Sequence, residues 1–255
     1  MQPRSFPKFN GKWRLRPLVT AEKFAESFPP RPAPLRKAIL VFNRHVVDAL
    51  GKEVGLTKSA IPYGDYLSTF LDPSEKTMVV TLGIGAPLTA TTVEELATWG
   101  IREFLLLGYA GSLRPDVGVD SLVLCTKAIR DEGTSHHYLP ATLYSSPDAR
   151  LTRYLARSLR AERIPFVLGP SWTTDAPYRE TRSEARQLSR MGVITVEMEA
   201  SALFAVAHIR RVKAAAAFVI SDVLGVEWSG FQRPTSGYSK LAKVGRAFCD
   251  WQSAS

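Results

Sequence analysis

From Lys37 onward, short runs of Val, Ile, Leu and Phe alternate with longer amphipathic stretches, and this alternation limits the fold more than any other feature. The apolar runs are Ala38–Phe42, Thr77–Leu82, Glu103–Leu107, Ser121–Thr126, Pro165–Leu168, Val193–Val196 and Ala214–Ile220, each bounded by Gly, Pro or Asp. They read as strands. Between them, Arg44–Leu50, Thr89–Thr98, Asp148–Ala161, Ser183–Met191, Met198–Ile209 and Lys240–Trp251 read as helices. The stretch from Asp148 has an acidic start and Leu151, Leu155 and Leu159 at a spacing of four, so one face is buried. Strands alternating with helices make βαβ units and a largely parallel sheet. The expectation is one α/β domain over 37–255, behind an N-terminal arm over 1–36.

Composition narrows the class. With 45% hydrophobic and 22% charged residues, the chain has an ordinary globular balance, which excludes disorder throughout. Its longest apolar run, Ala214–Ile220, is far below the ~20 residues of a membrane span. No apolar h-region marks a secretory signal, and Cys125 and Cys249 read as reduced thiols, so a cytoplasmic location is expected.

The net charge of +9 is unevenly placed. Residues 1–40 hold nine Lys/Arg and two Glu, whereas residues 41–255 hold 24 Lys/Arg and 22 Asp/Glu. Seven of the 17 prolines (Pro3, Pro7, Pro17, Pro29, Pro30, Pro32 and Pro34) also fall in the arm, which is expected to be extended. Its Phe6, Phe9, Trp13, Phe24 and Phe28 either stack on single-stranded nucleic acid or pin the arm to protein. The second reading is favoured, because the body does not continue the basic track.

Four segments carry chemistry. Gly83-Ile84-Gly85-Ala86-Pro87 follows a strand and precedes a helix, where a ligand can approach the backbone and a helix N-terminus. It is not a dinucleotide fingerprint, since Leu88 stands where the third glycine belongs. Gly108-Tyr109-Ala110-Gly111-Ser112 forms a second glycine turn after a strand. Val196-Glu197-Met198-Glu199-Ala200 places two carboxylates at a strand-to-helix junction. One suffices for the helix end, and the other suits the paired hydroxyls of a polyol such as ribose. Ser221-Asp222 ends the most apolar strand, where Asp222 forms a turn or, half buried, serves as a general acid. The adjacent His136 and His137 have no partners at metal-ligand spacing, so no metal site is expected.

In order, these segments, together with Glu132-Gly133-Thr134-Ser135-His136-His137-Tyr138 and Thr174-Asp175-Ala176-Pro177-Tyr178, resemble the nucleoside phosphorylase family, which includes purine nucleoside phosphorylase, uridine phosphorylase and the methylthioadenosine nucleosidases. The resemblance covers Lys37–Arg246 and is most specific at Val196–Ala200 and Ser221-Asp222. It implies a central mixed, partly closed sheet flanked by helices, and cleavage of a nucleoside's N-glycosidic bond. It also implies a homo-oligomer, a dimer or a hexamer, and no cofactor beyond inorganic phosphate as co-substrate. On this basis Glu199, with Glu197 and Met198, would hold the ribose. Asp222 would protonate the leaving base, and Tyr178, Pro177 and Val196 would line its pocket. Gly83, Gly85, Arg44, His45 and Tyr109 would surround the phosphate or other nucleophile.

Two positions depart from the phosphorylase pattern. Leu106 stands where a phosphate-binding Arg is expected, and Tyr109 where a Ser or Thr is expected. Losing that Arg removes a charge-assisted contact, so beside phosphorolysis to a pentose 1-phosphate the alternatives are a nucleosidase using water or a non-catalytic nucleoside-binding protein. Asp222 favours a purine-type base.

Overall fold

The computed structural model describes residues 11–27, 30–31, 34–59, 68–225 and 228–252. Phe6, Phe9, Phe28, Pro3, Pro7, Pro29 and Pro32 of the arm lie outside the described residues. The chain begins with α1 (Ala21–Ala25), β1 (Lys37–Val41), α2 (Arg44–Val54), β2 (Thr57–Lys58), β3 (Thr69–Leu71) and β4 (Thr77–Thr81). It continues through α3 (Ala86–Trp99), β5 (Glu103–Ser112), β6 (Leu122–Asp131), β7 (Tyr144–Ser145), α4 (Ala149–Ala161) and β8 (Val167–Thr174). It closes with α5 (Arg182–Arg190), β9 (Thr195–Glu197), α6 (Ala200–Arg210), β10 (Lys213–Val223) and α7 (Gly237–Asp250).

These strands form one mixed sheet in the order β10-β6-β8-β9-β5-β1-β4-β3-β2, with β7 added to β6. A further pairing of β10 with β5 closes the first five strands into a ring, so the sheet is partly closed as expected. β1, β4, β5 and β10 run parallel, and β6 runs antiparallel to β10. Strands inside such a sheet must be apolar on both faces. In β5, Leu106 belongs to one buried cluster with Leu40, Phe104 and Phe218, while Leu105 and Leu107 belong to another with Ile39, Leu50 and Phe248.

Several strands run further than their apolar cores. β5 continues through Gly108–Ser112 rather than turning there, because β10 pairs with it as far as Ser112. Likewise β6 reaches Asp131 and β8 reaches Thr174, held by seven mutual pairings. The short strands β2, β3 and β7 have no counterpart among the expected runs.

The arm departs from the extended form expected of it. Its prolines leave residues 18–28 free, and there Thr20 caps α1 by accepting the amide of Lys23. Glu22 of α1 pairs with Arg210 of α6 at 2.5 Å. Ahead of it, Lys12 Nζ donates to His137 Nδ1 at 2.9 Å. Both contacts hold the described arm against its own body.

The start of β1 also secures the end of the chain. Buried Lys37 donates through Nζ to the carbonyls of Phe248 (3.1 Å) and Cys249 (2.7 Å), and to that of Trp251. Its charge thus meets the negative end of α7, although burial lowers its pKa. Lys37→Met removes this donor from the Cys249 and Trp251 carbonyls, while Phe248 O keeps the Trp251 amide, and should lower stability by about 1–3 kcal/mol. Urea denaturation checks this, and an unchanged midpoint contradicts it.

Candidate functional site

β5 changes partner along one edge. Its residues Glu103–Leu107 pair with β1, and Gly111–Ser112 pair with β9. On that edge Gly108, Tyr109 and Ala110 lie between the two pairings, and these three residues line a cavity of about 640 Å³. Such a switch point at strand ends is where open α/β sheets take their ligands. Glycine is required here by space. A Cβ on Gly111 would meet Leu224 at 2.6 Å, Val196 at 3.1 Å and Asp222 Oδ2 at 3.2 Å.

The cavity gathers Tyr109, Pro177, Tyr178, Val196, Glu197, Met198, Glu199 and Asp222 of the expected site. Ile84, from the first glycine turn, lines it as well. Gly83 and Gly85 are not among the lining residues, and the Gly85 amide is taken by Glu199 Oε1 at 2.7 Å. Arg44 and His45 also stand apart. Val46, Val47 and Leu50 bury one face of α2, which leaves Arg44 exposed, 3.9 Å from Asp48. The His45 ring packs on Tyr238, with centroids 5.5 Å apart. Leu106 is wholly buried in the core and does not reach the cavity.

The two carboxylates of Glu197 and Glu199 divide their work. Glu197 Oε1 accepts from Ser171 Oγ (2.9 Å) and Thr173 Oγ1 (2.6 Å). Its Oε2 accepts the amides of Glu199 (2.8 Å) and Ala200 (2.7 Å) at the start of α6. The Thr173 hydroxyl itself accepts the Ser201 amide at 3.0 Å, so its proton is committed to Glu197. The ribose role expected of Glu197 is therefore displaced: both of its oxygens are spent on β8 and α6. Among the described residues Glu199 accepts two amides, from Gly85 and Met198, and it keeps capacity toward the cavity. Burial, reinforced by the charge of Glu197, pushes the Glu199 carboxyl up to about 8. Glu197 is also raised by burial, but its four donors favour the ionised form.

Asp222 is aimed by a register shift in the β10–β5 pairing between Ile220 and Asp222. Ser221 Oγ donates to its Oδ1 at 2.6 Å, and the Trp228 indole donates to Oδ2 at 2.8 Å. Beside it stands Glu180, which the sequence reading missed. Burial first, and then the charge of Asp222, pushes the Glu180 carboxyl up to about 7. Glu180 lines the cavity and accepts no hydrogen bond from the described residues. Its one sequence signal is its place between Tyr178 and the capping box of Thr181 and Glu184.

Aromatic residues complete the walls. Tyr109 OH donates to Tyr238 OH at 2.6 Å, and its ring meets Phe231 edge-on. Burial raises the Tyr109 pKa, so it remains a neutral hydroxyl. Trp228 and Phe231 line the cavity yet stay largely exposed. Among the described residues that line it there is no Lys or Arg, and no cluster of His, Cys, Asp and Glu is placed to hold a metal.

With this geometry in view, comparison identifies the family. Residues 37–234 match the Phosphorylase superfamily, and the chain belongs to it. Over 141 residues it is 30% identical to uridine phosphorylase of Haemophilus influenzae, covering 50% of this chain and 56% of that one. It is 31% identical over 138 residues to guanosine phosphorylase of Halorubrum lacusprofundi, covering 54% and 57%. The chain thus spans a little over half the length of these curated relatives. The crystal structure of AMP nucleosidase from Bacteroides thetaiotaomicron shares the fold, with a TM-score of 0.72 at 20% identity over 91% of this chain and 97% of that one.

The raised pKa of Glu199 has a sign. Native Glu199 keeps a proton that the unfolded chain releases near 4.5, so this group's contribution to stability falls as pH rises from there to about 8. Relative to wild type, Glu199→Gln should gain melting temperature from about pH 5 to pH 8 and level off above, since the amide never ionises. Parallel melting curves across that range would show that Glu199 is ionised throughout.

Proposed function

We propose that the protein cleaves the N-glycosidic bond of a nucleoside by phosphorolysis, releasing the base and a pentose 1-phosphate. The observation that carries this reading is one cavity lined by both a carboxyl with free hydrogen-bonding capacity, Glu199, and an oriented carboxyl, Asp222. In this scheme Glu199 accepts the ribose 2′- and 3′-hydroxyls, and Met198 packs against the sugar. As the bond breaks, charge builds on the base, and Asp222 supplies a proton to a ring nitrogen, making the base a better leaving group. Pro177, Tyr178 and Val196 line the base end. Glu180 supports a purine-type base, because an unpartnered carboxylate accepts the N–H edge of a 6-oxopurine. The match to a guanosine phosphorylase agrees with that preference, while the match to a uridine phosphorylase marks the pyrimidine alternative.

Inorganic phosphate is the co-substrate in this scheme, and no other cofactor takes part. Its cation would be Arg44 turned inward from the first turn of α2, or a residue of a neighbouring copy in a homo-oligomer. A second reading, hydrolysis by water, is favoured by one observation: no Lys or Arg is found among the described residues that line the cavity.

Base release from purine and pyrimidine nucleosides, each with and without phosphate, separates these readings. Phosphorolysis predicts strict phosphate dependence and a sugar 1-phosphate product, whereas equal release without phosphate establishes hydrolysis. In either case Asp222→Asn should lower turnover by ~10²–10⁴-fold, the usual worth of a general acid. Full activity in that variant would remove Asp222 from the chemistry.

A further inference from the structure

Away from this cavity, α4 carries a row of arginines. Leu151, Leu155 and Leu159 bury one face of the helix. That register leaves Arg150, Arg153, Arg157 and Arg160 exposed at steps of three and four residues. Neighbours at such steps lie ~5–6 Å apart on a helix surface, so the row extends over ~15 Å. All four arginines border a groove of about 880 Å³ that also includes Leu168 of β8 and Trp251, and no Asp or Glu is among the described residues that line it. This groove shares no lining residue with the nucleoside cavity.

The charges here are uncompensated. Among the described residues, Arg150, Arg153 and Arg157 have no ion pair, while Arg160 lies over the Phe166 ring at 5.3 Å. Elsewhere Arg114, Arg210 and Arg246 each face a carboxylate. The acids flanking the row are otherwise engaged: Asp148 accepts the Leu151 amide, and Glu162 pairs with Arg246. Like charges one turn apart repel, so the row destabilises α4 unless an anion neutralises it.

We propose that this groove binds a short polyphosphate, an anion with three or more phosphoryl groups in a row, either free or as the tail of a nucleotide. Guanidinium forks match phosphoryl oxygens two at a time. One phosphate engages one or two of the four forks, whereas a chain of phosphoryl groups engages them together, because arginine side chains are long enough to converge on it. The hydroxyls of Thr126 and Ser146 on the groove wall add neutral donors. A long nucleic-acid strand fits less well. Residues 41–255 hold 24 Lys/Arg against 22 Asp/Glu, and five of those arginines lie between 148 and 163, so the basic track ends with α4.

Calorimetric titration of the full chain with inorganic tripolyphosphate tests the site, at about 0.1 M salt where exposed charges are largely screened. One binding event is expected, weakening as salt rises, with orthophosphate far weaker. Arg153→Gln/Arg157→Gln removes two charge-assisted contacts and should weaken binding by on the order of 10²-fold. Glutamine keeps the helix propensity of arginine, so the circular dichroism spectrum should be unchanged, as should nucleoside cleavage. Tighter binding of ATP than of tripolyphosphate assigns the site to nucleotide tails, and equal binding assigns it to free polyphosphate. The proposal is overturned if wild type does not bind, or if the double variant binds as tightly. It is also overturned if a single-stranded oligonucleotide occupies the row and tripolyphosphate does not displace it.

Discussion

β5 bonds to three different strands, and most of the molecule's architecture follows from that. Along one edge it pairs with β10 from end to end, which closes five strands into a ring. Along the other it begins with β1 and finishes with β9. A strand cannot hand over from one partner to another without leaving a stretch unpaired between them, and Gly108–Ala110 is that stretch. The cavity therefore arises from the hydrogen-bonding geometry of the sheet and needs no separate domain or lid to form it. Residues far apart in sequence reach it because they lie at the ends of elements, or in the loops just beyond them, that abut this handover.

Within that opening, electrostatics assigns the roles. A buried carboxylate without donors is costly, and one with four donors is secure. Glu197 takes four and ties β8, β9 and α6 together. Through Thr173 and Ser201 the network continues to Glu132, which accepts the Ser201 hydroxyl at 2.7 Å. Burial first, and then the neighbouring Glu197, raise the proton affinity of Glu199, the carboxyl left to face a ligand. Near Asp222, burial first and then the neighbouring carboxylate raise the proton affinity of Glu180.

Hydrophobic alternation made the class of fold readable, since buried parallel strands and one-sided helices leave distinct periods in the chain. The ends of β5, β6 and β8 were not readable. Their second halves are polar or glycine-containing, and cross-strand pairing rather than composition keeps them extended. The helix in the arm was obscured by surrounding prolines, although Thr20 supplied its cap. In the site, Glu199, Asp222, Tyr178 and Met198 were legible because their motifs are compact and sit at strand ends. Glu180 was not, because nothing local distinguishes a cavity-facing carboxylate from one preceding a helix.

By itself the sequence determined the α/β class, the buried face of α4, the turn at Gly85 and the pairing of acidic residues at Val196–Ala200. These are short-range properties, set by side-chain period, backbone freedom and capping chemistry. Only the tertiary structure decided which carboxylate is spent on the helix and which is left to the cavity. It also turned Arg44 and His45 aside, sealed Leu106 in the core, and left four arginines of α4 around one groove. Those outcomes depend on which surfaces meet across the sheet, and a local sequence pattern carries no information about its distant partner.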